Sequence, residues 1–387
     1  MAKILYVLGV QLPDEVRAEK ICRALVADGH QVTVLSRWSP QLPEREEFQG
    51  YTVHRFGKNI KSWQRSPVSM NPFWRQAIER EVLEYKPDLI ITREILLAGA
   101  SNQIAHRNSI PSLIDMAENY PGAMRGWKKY QSHFLKRIAV NTLRLPDVME
   151  KRALDEADGV IVVSDEQIQR LNSTYGYPLE KIELVQNTPE LETFASVRKG
   201  CATPPRVFGH HGFFTLDRGL ENFTKGFELA AKELVDIHLA LYGKGETFEE
   251  VKKVSVNSKV SNRIELHGEY PLTSIADLYS KCDIGILPYI PNEHINTTIA
   301  NKLFDYMVCG KPVIVSEAIP MKRIIEETGA GISADCSTPE KIARAIKLIY
   351  NSNLSEMSEN GQKFAKKKYN WAVDSVRLCK FVMKFIT

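Results

Sequence analysis

Long apolar runs are missing from this sequence. No segment approaches the roughly 18 residues needed to span a bilayer, which excludes a bundle of membrane helices. The opening apolar stretch, Ile4-Leu5-Tyr6-Val7-Leu8, is too short for a signal peptide, and no cleavage-like site follows it. The expectation is a cytosolic protein. Cysteine is sparse: six occur, at positions 22, 201, 282, 309, 336 and 379, and none forms a C-x-x-C pair. That removes zinc ribbons and thioredoxin-like motifs. In a reducing compartment the six are expected as free thiols, mostly buried.

Several chemical signatures are also absent. No G-x-G-x-x-G follows the first strand, and Gly243-Lys244-Gly245 lacks the third glycine, so a dinucleotide cofactor loses its main support. Gly310-Lys311-Pro312 has no glycine five positions before it and carries Pro where a P-loop needs Ser or Thr. There is no H-E-x-x-H, and His210-His211, adjacent on a strand, would point to opposite faces. A G-x-S-x-G nucleophile elbow is missing. Serine hydrolase, zinc hydrolase, kinase and simple dehydrogenase are disfavoured together.

What is present is the balance of a globular protein. The chain has 387 residues, 43% apolar and 25% charged, enough for about two to three domains. With 51 Lys and Arg against 47 Asp and Glu, the excess of cations is too small to make nucleic acid the default partner. The cations are unevenly placed. Residues 54–75 hold Arg55, Lys58, Lys61, Arg65 and Arg75 with no acid, interleaved with Trp63, Phe73 and Trp74. Residues 121–144 hold Arg125, Lys128, Lys129, Lys136, Arg137 and Arg144, again without an acid, beside Trp127, Tyr130 and Phe134. Two readings fit: solvated surface segments, or contact with anionic lipid headgroups.

The pattern along the chain is alternating. Residues 3–8 read as a strand, 15–27 as a helix closed by Asp28-Gly29-His30, and 31–35 as the next strand, a βαβ unit. Helical periodicity over 73–85, 96–107 and 147–157 alternates with apolar strands at 87–92, 112–115 and 159–164. The stretch 188–206, with Thr188-Pro189, Lys199-Gly200 and Pro204-Pro205, suits a linker. A second set follows, with strands at 207–210, 238–242, 264–267, 284–287 and 312–315 and helices at 220–234, 275–281 and 299–308. Short apolar strands alternating with helices imply parallel sheets covered on both faces. The expected architecture is α/β, with two Rossmann-like doubly wound domains facing each other across a cleft. The divisions are 1–190 and 205–370, with a further helical pattern at 371–387. Ligands are expected outside the carboxyl ends of the strands.

The richest stretch is residues 288–316. Its helix is expected to begin near Thr298, capped by Thr297 or Thr298. A helix N-terminus offers N–H donors and partial positive charge to an anion. Lys302 and Asp305, three apart, share a face. A cation there suits a diphosphate, and a carboxylate one turn on suits ribose hydroxyls. The plain alternative is a surface helix with a Lys–Asp pair.

These residues resemble the C-terminal half of the GT-B glycosyltransferases, specifically the retaining family 4 or group 1 type found in bacteria. Asn301-Lys302-Leu303-Phe304-Asp305-Tyr306-Met307 running into Cys309-Gly310-Lys311-Pro312-Val313-Ile314 carries the resemblance. Gly212 with Asp217-Arg218-Gly219-Leu220 is similar to the family's glycine loop. Leu241-Tyr242-Gly243-Lys244-Gly245 resembles the next strand and turn, and His267-Gly268-Glu269-Tyr270 the segment beside the base. In the first half, Gly29-His30-Gln31-Val32-Thr33-Val34 and Ala157-Asp158-Gly159-Val160-Ile161-Val162-Val163-Ser164 resemble strands of the acceptor domain. Two positions depart from the pattern: Thr297 stands where an acid is common, and Phe213 where a second cation is common.

The resemblance implies that residues 371–387 cross back onto the first domain. It implies transfer of a sugar, with retention, from a nucleotide diphosphate sugar to a hydroxyl of a saccharide acceptor. It points to a lipid-linked acceptor and to cell-surface polysaccharide or lipopolysaccharide synthesis. Arg218 and Lys302 would neutralise the diphosphate, and no metal cofactor is implied. Gly212, Phe213, Gly243, Gly268, Thr297, Thr298 and Asp305 would line the donor. Asp115 and Glu118, after a strand's carboxyl end, would orient or deprotonate the acceptor hydroxyl, and Arg17 would bind the acceptor. Arg125, Lys128, Lys129, Lys136 and Arg137 would hold the protein peripherally on the inner face of the cytoplasmic membrane. The alternatives are a non-catalytic binding subunit, favoured by Thr297 and Phe213, and an epimerase or hydrolase of the same fold.

Overall fold

The computed structural model describes every residue except Asp14, Arg198, Cys201 and Thr387, and leaves the side chain of Leu272 aside. The chain divides into two units. Unit 1 comprises Met1–Gln186 with Asp374–Thr387, and unit 2 is Asn187–Val373.

Unit 1 runs β1 (Lys3–Val7), α1 (Val16–Ala27), β2 (Gln31–Arg37), β3 (Arg45–Phe48), β4 (Tyr51–Phe56), α2 (Pro72–Tyr85), β5 (Leu89–Arg93) and α3 (Ile95–Arg107). It continues through β6 (Ser112–Met116), α4 (Tyr120–Gly126), α5 (Lys128–Gln131), α6 (Phe134–Arg137), α7 (Leu145–Asp155), β7 (Gly159–Val162), α8 (Asp165–Tyr175) and β8 (Ile182–Leu184). The eight-stranded sheet has the order β3-β4-β2-β1-β5-β6-β7-β8. Every pairing is parallel except the β3–β4 hairpin. The central strands β1, β5, β6 and β7 are buried along most of their length because helices cover a parallel sheet on both faces, so they read as largely apolar runs. The hairpin was not expected: β3 is Arg-Glu-Glu-Phe, an edge strand whose polar composition carries no apolar run. Gly29 adopts φ +88° after α1, as its place at the helix end predicts.

Unit 2 runs β9 (Val207–Phe213), α9 (Leu220–Ala230), β10 (His238–Lys244), α10 (Phe248–Asn257), β11 (Ile264–His267), α11 (Ile275–Lys281), β12 (Ile284–Leu287) and α12 (Asn301–Val308). Then come β13 (Val313–Ser316), α13 (Ile319–Thr328), β14 (Gly331–Ala334), α14 (Pro339–Tyr350) and α15 (Leu354–Lys367). Its sheet is wholly parallel, in the order β11-β10-β9-β12-β13-β14. Two apolar clusters flank it, one around Phe208, Phe227 and Ile346, the other around Phe304, Tyr306 and Tyr369. The expected linker is partly core: Phe194 is buried and meets the ring of Tyr279 edge-on at 5.4 Å. A helix, α16 (Trp371–Val382), begins in unit 2 and ends in unit 1. There Leu378, Phe381 and Val382 are buried, and the rings of Phe381 and Phe385 lie against Gly159. Val376 on the same helix is exposed.

Among the described residues no helix is long and apolar enough to cross a membrane. Cys22, Cys282 and Cys309 are buried free thiols, and Cys336 and Cys379 are half-buried ones. Cys201 lies outside the described residues.

Candidate functional site

Strand order reverses at β9: β10 and β11 follow on one side, β12 to β14 on the other. Such a switch point is where open parallel sheets bind ligands. Gly212 and Phe213 end β9, and a short turn, Leu216–Arg218, leads into α9. Arg218 lies in that turn with its guanidinium 4.2 Å from the ring centre of Tyr289, just past β12. It also pairs with Asp217 Oδ2 at 3.3 Å and keeps 24% of its side chain exposed. Lys302, on the first turn of α12, lies across the same strand end. A Cβ on Gly212 would come within 2.6 Å of its Cε and 2.8 Å of its Nζ.

Beneath the two cations are His210 and His211. Burial pushes His210 down to about 3, with the nearby charges of Lys302 and Arg218 adding to it. His211 is lowered by burial, then by Lys302 and His210. Both are therefore neutral at physiological pH and act as hydrogen-bonding supports. His210 Nδ1 lies 3.0 Å from the Ile286 carbonyl, which can only accept, so Nδ1 carries the proton. His211 Nδ1 bonds the Tyr270 hydroxyl at 2.9 Å. Their disjoint partners fit the expectation that they face opposite sides of β9. Asp305 follows Lys302 along α12 and accepts a hydrogen bond from the Tyr279 hydroxyl at 2.9 Å.

The threonines differ from expectation. The helix begins at Asn301, with no side-chain cap. Thr297 and Thr298 each donate to the His294 carbonyl, at 3.1 and 3.0 Å, within the preceding turn. A β-branched hydroxyl that bonds a carbonyl three or four residues back satisfies its own turn and does not cap the next helix. Gly243 has a reason internal to the protein: with φ +145°, its Cβ would sit 1.8 Å from the Gly212 carbonyl oxygen in the paired strand. Gly268 is exposed, and a Cβ there would meet nothing within 4 Å. Phe213 is 63% exposed at the end of β9.

In unit 1, Arg17 and Asp115 meet, but as a buried pair. Arg17 Nη2 and Nε donate to Asp115 Oδ1 at 2.7 and 2.9 Å, and Nη1 donates to the Val185 carbonyl at 2.9 Å. The Tyr6 hydroxyl donates to Asp115 Oδ2 at 2.8 Å. Burial pushes the Asp115 carboxyl up, but Arg17 and Arg93 outweigh it and the net shift is downward. The expected acceptor roles of these two residues are corrected accordingly. Asp115 has no exposed surface and its carboxylate is held ionised, so the pair ties α1 to β6 and the chain after β8. Glu118 is half-exposed and lines a pocket at the ends of β1 and β5.

The two basic segments part ways. In residues 54–75, Arg55 is buried and donates to the carbonyls of Leu12 and Pro43. Arg65 stacks on Trp38 at 5.1 Å, and Arg75 donates to Ser69 O and Gln103 Oε1. That segment is mainly structural. In the second, Lys129 lies 4.5 Å over Trp127 and 5.0 Å over Tyr130, and residues 132–137 are all exposed. Phe134 and Leu135 expose 66% and 78% beside Lys136 and Arg137. Arg125 differs: it pairs with Asp147 at 2.8 Å and is mostly buried.

Sequence reasoning missed Tyr289 and Tyr279, which seat Arg218 and Asp305, and it gave Tyr270 a place beside the base without its bond to His211. Tyr289 follows the 284–287 strand by two residues, so its position at a strand end was available as a signal. Tyr279 and Asp305 are 26 residues apart, and nothing local links them.

Residues 15–193 match the family model described as Glycosyltransferase Family 4, and residues 205–352 match Glycosyl transferases group 1. An uncharacterised glycosyltransferase of Methanocaldococcus jannaschii, MJ1069, is 28% identical over 200 residues, 51% of this chain and 48% of that protein. The probable glycosyltransferase WbjE of Pseudomonas aeruginosa is 25% identical over 154 residues, 39% of this chain and 38% of its own. The matches thus span about half or less of these curated relatives. Among solved structures, a sucrose-phosphate synthase from Thermosynechococcus elongatus superposes with TM-score 0.78 at 17% identity, covering 99% of this chain and 98% of its own. HepE from Anabaena, solved with UDP-glucose, has TM-score 0.73 at 15% identity, covering 99% and 100%. These likenesses show the GT-B fold. With one model on each unit and the shared fold throughout, the chain belongs to the family 4, group 1 glycosyltransferases.

Proposed function

We propose that the protein is a retaining glycosyltransferase that moves a hexosyl group from a nucleotide diphosphate sugar to a hydroxyl of a saccharide acceptor. The observation that carries this reading is the placing of Arg218 and Lys302 together at the carboxyl end of β9, where the strand order of unit 2 reverses. As the bond between the anomeric carbon and the β-phosphate oxygen breaks, negative charge builds on the diphosphate. Two preorganised cations over a dry, neutral bed of imidazole and tyrosine stabilise that charge, commonly the largest catalytic contribution. The acceptor oxygen forms the new bond to the anomeric carbon, and its proton passes to a phosphate oxygen of the departing nucleoside diphosphate. Asp305 would take ribose hydroxyls. The two cations do the neutralising work of a divalent metal, so activity should survive a chelator. That HepE was solved with UDP-glucose supports a nucleotide-sugar donor.

The acceptor is proposed to be lipid-linked, in the synthesis of a cell-surface polysaccharide. Exposed Phe134 and Leu135, with Lys128, Lys129, Lys136 and Arg137 around them, have the composition of an interfacial membrane contact. The donor site is tested by thermal unfolding with UDP, GDP, ADP, CMP and dTDP. A ligand at 100 times its Kd should add about 2.7 kcal/mol. A shift with one of them, lost in Lys302→Ala, is the expected result. No shift with any would overturn the donor site.

A further inference from the structure

A pocket of about 230 Å³ opens in unit 1 beyond the ends of β1 and β5. These strands flank the point where the order of that sheet reverses, with β2 beside β1 on one side and β6 beyond β5 on the other. It is smaller than the roughly 300–1,000 Å³ of drug-sized sites, room for one ring and little more. Its floor is unusual. Glu94 holds φ +66° and ψ +164°, a conformation that residues with a Cβ avoid and that persists only where the surroundings impose it. Its N–H is fixed by the Asp115 carbonyl at 3.0 Å. Arg93 Nη1 grips Glu94 Oε1, while Glu94 Oε2 is buried without a hydrogen-bond partner. Arg93 is paired electrostatically, with Nη2 3.3 Å from Glu15 and Nε 3.7 Å from Asp115, although its Nε makes no hydrogen bond.

We propose that this pocket binds the uncharged, hydroxyl-bearing sugar ring of an acceptor, with Glu94 as the group that recognises it. The inference rests on the glycosyltransferase reading and assigns that reading's acceptor side to named residues. Tyr120 and Trp127, edge to face at 5.7 Å, form a wall on which the C–H face of a pyranose can pack. The open oxygen of Glu94 meets a hydroxyl. Burial, then Glu118, Asp115 and Glu15, push the Glu94 carboxyl up to about 8 against the pull of Arg93. Below that pH it carries a proton and can donate; above it, it is an anion among carboxylates. Tyr120 is itself raised by burial and by Glu94 and Glu118, so it remains a neutral phenol. Arg17 is spent on Asp115. Among the described residues that line the pocket the one cation is Arg93, already paired with Glu15 and Asp115, so uronic and phosphorylated sugars should be refused.

The test is saturation-transfer NMR on the full chain with methyl α-glucoside, methyl α-mannoside, methyl α-galactoside, methyl N-acetyl-α-glucosaminide and methyl glucuronide, at pH 6.5 and 9.5. At least one neutral glycoside should bind at pH 6.5 and at least tenfold more weakly at pH 9.5, and the glucuronide should not bind. Glu94→Gln should keep the binding and lose its pH dependence, while Glu94→Ala should lose the binding. No binding of any neutral glycoside, equal binding of the glucuronide, or unchanged binding by Glu94→Ala would overturn the proposal. The nucleoside diphosphate shift is measured on the same samples. If it persists while sugars fail to bind, this inference alone falls; if sugars bind and no nucleotide does, the donor reading alone falls.

Discussion

At the end of β9, Arg218 and Lys302 stand over two buried, neutral histidines. At the ends of β1 and β5, Glu15, Glu94 and Glu118 line a pocket with Arg93, the one cation among its described lining residues, which pairs with Glu15 and Asp115. Both places are the switch point of a parallel sheet. The same layering of strands and helices thus carries two cations at one switch point and three carboxyl groups around one arginine at the other. The backbone supplies the position, and a few side chains at strand ends decide the chemistry.

The contrast can be broken or sharpened in stages. The largest effect is expected from Arg17→Ala. It strands a buried carboxylate, and breaking such a pair costs about 3–5 kcal/mol. Denaturant unfolding would register this as lost stability, whereas an acceptor-binding arginine would change KM and leave stability alone. The Asp115 carboxyl is lowered in the fold, so its contribution is present above its ordinary value of 3.8 and lost as pH falls below that. Next comes Lys302→Ala, expected to cut kcat by about 10²–10³, the usual cost of one preorganised charge partner. A steady-state assay with donor and acceptor would show it; a change in KM alone would mean that Lys302 binds the donor without stabilising the transition state.

Glu94 gives a subtler contrast. Its raised pKa means that the folded chain keeps a proton the unfolded chain has released. Stability therefore falls as pH rises from about 4.5 to about 8 and then levels. Relative to Glu94→Gln, the wild-type protein should lose up to about 1.4 kcal/mol per pH unit across that window. Parallel stability curves for the two would remove the proton from Glu94. Smaller again is the membrane contact. Replacing Lys136 and Arg137 by Ala should each weaken binding to anionic vesicles by about 1 kcal/mol. Arg125→Ala should instead act on stability, because Arg125 is paired with Asp147. The smallest effect belongs to Gly268→Ala, which should stay within about 0.5 kcal/mol of wild type, since its Cβ meets nothing.

Much of this arrangement was legible in the sequence. Buried parallel strands leave apolar runs, and Gly29 marked its helix end, so the alternation of both units could be read directly. Lys302 and Asp305 were legible because i,i+3 spacing is local. What failed was whatever depends on partners far along the chain. Asp115 and Arg17 each looked like a polar group at a ligand-facing end of an element, yet they are 98 residues apart and neutralise each other. Arg55 looked like part of a basic surface and is a buried donor to loop carbonyls. Thr297 looked like a cap and bonds its own turn.

The sequence by itself determined the α/β class, the two sets of strands and helices, and the shared face of Lys302 and Asp305, because hydrophobic period and short spacings are written residue by residue. Tertiary structure decided which charges are spent and which are open. It buried Arg17 against Asp115, seated Arg218 on Tyr289, and twisted Glu94 into a pocket with one oxygen unpaired. Those outcomes turn on desolvation and on partners brought together from distant strands, and neither is a property of any local stretch of chain.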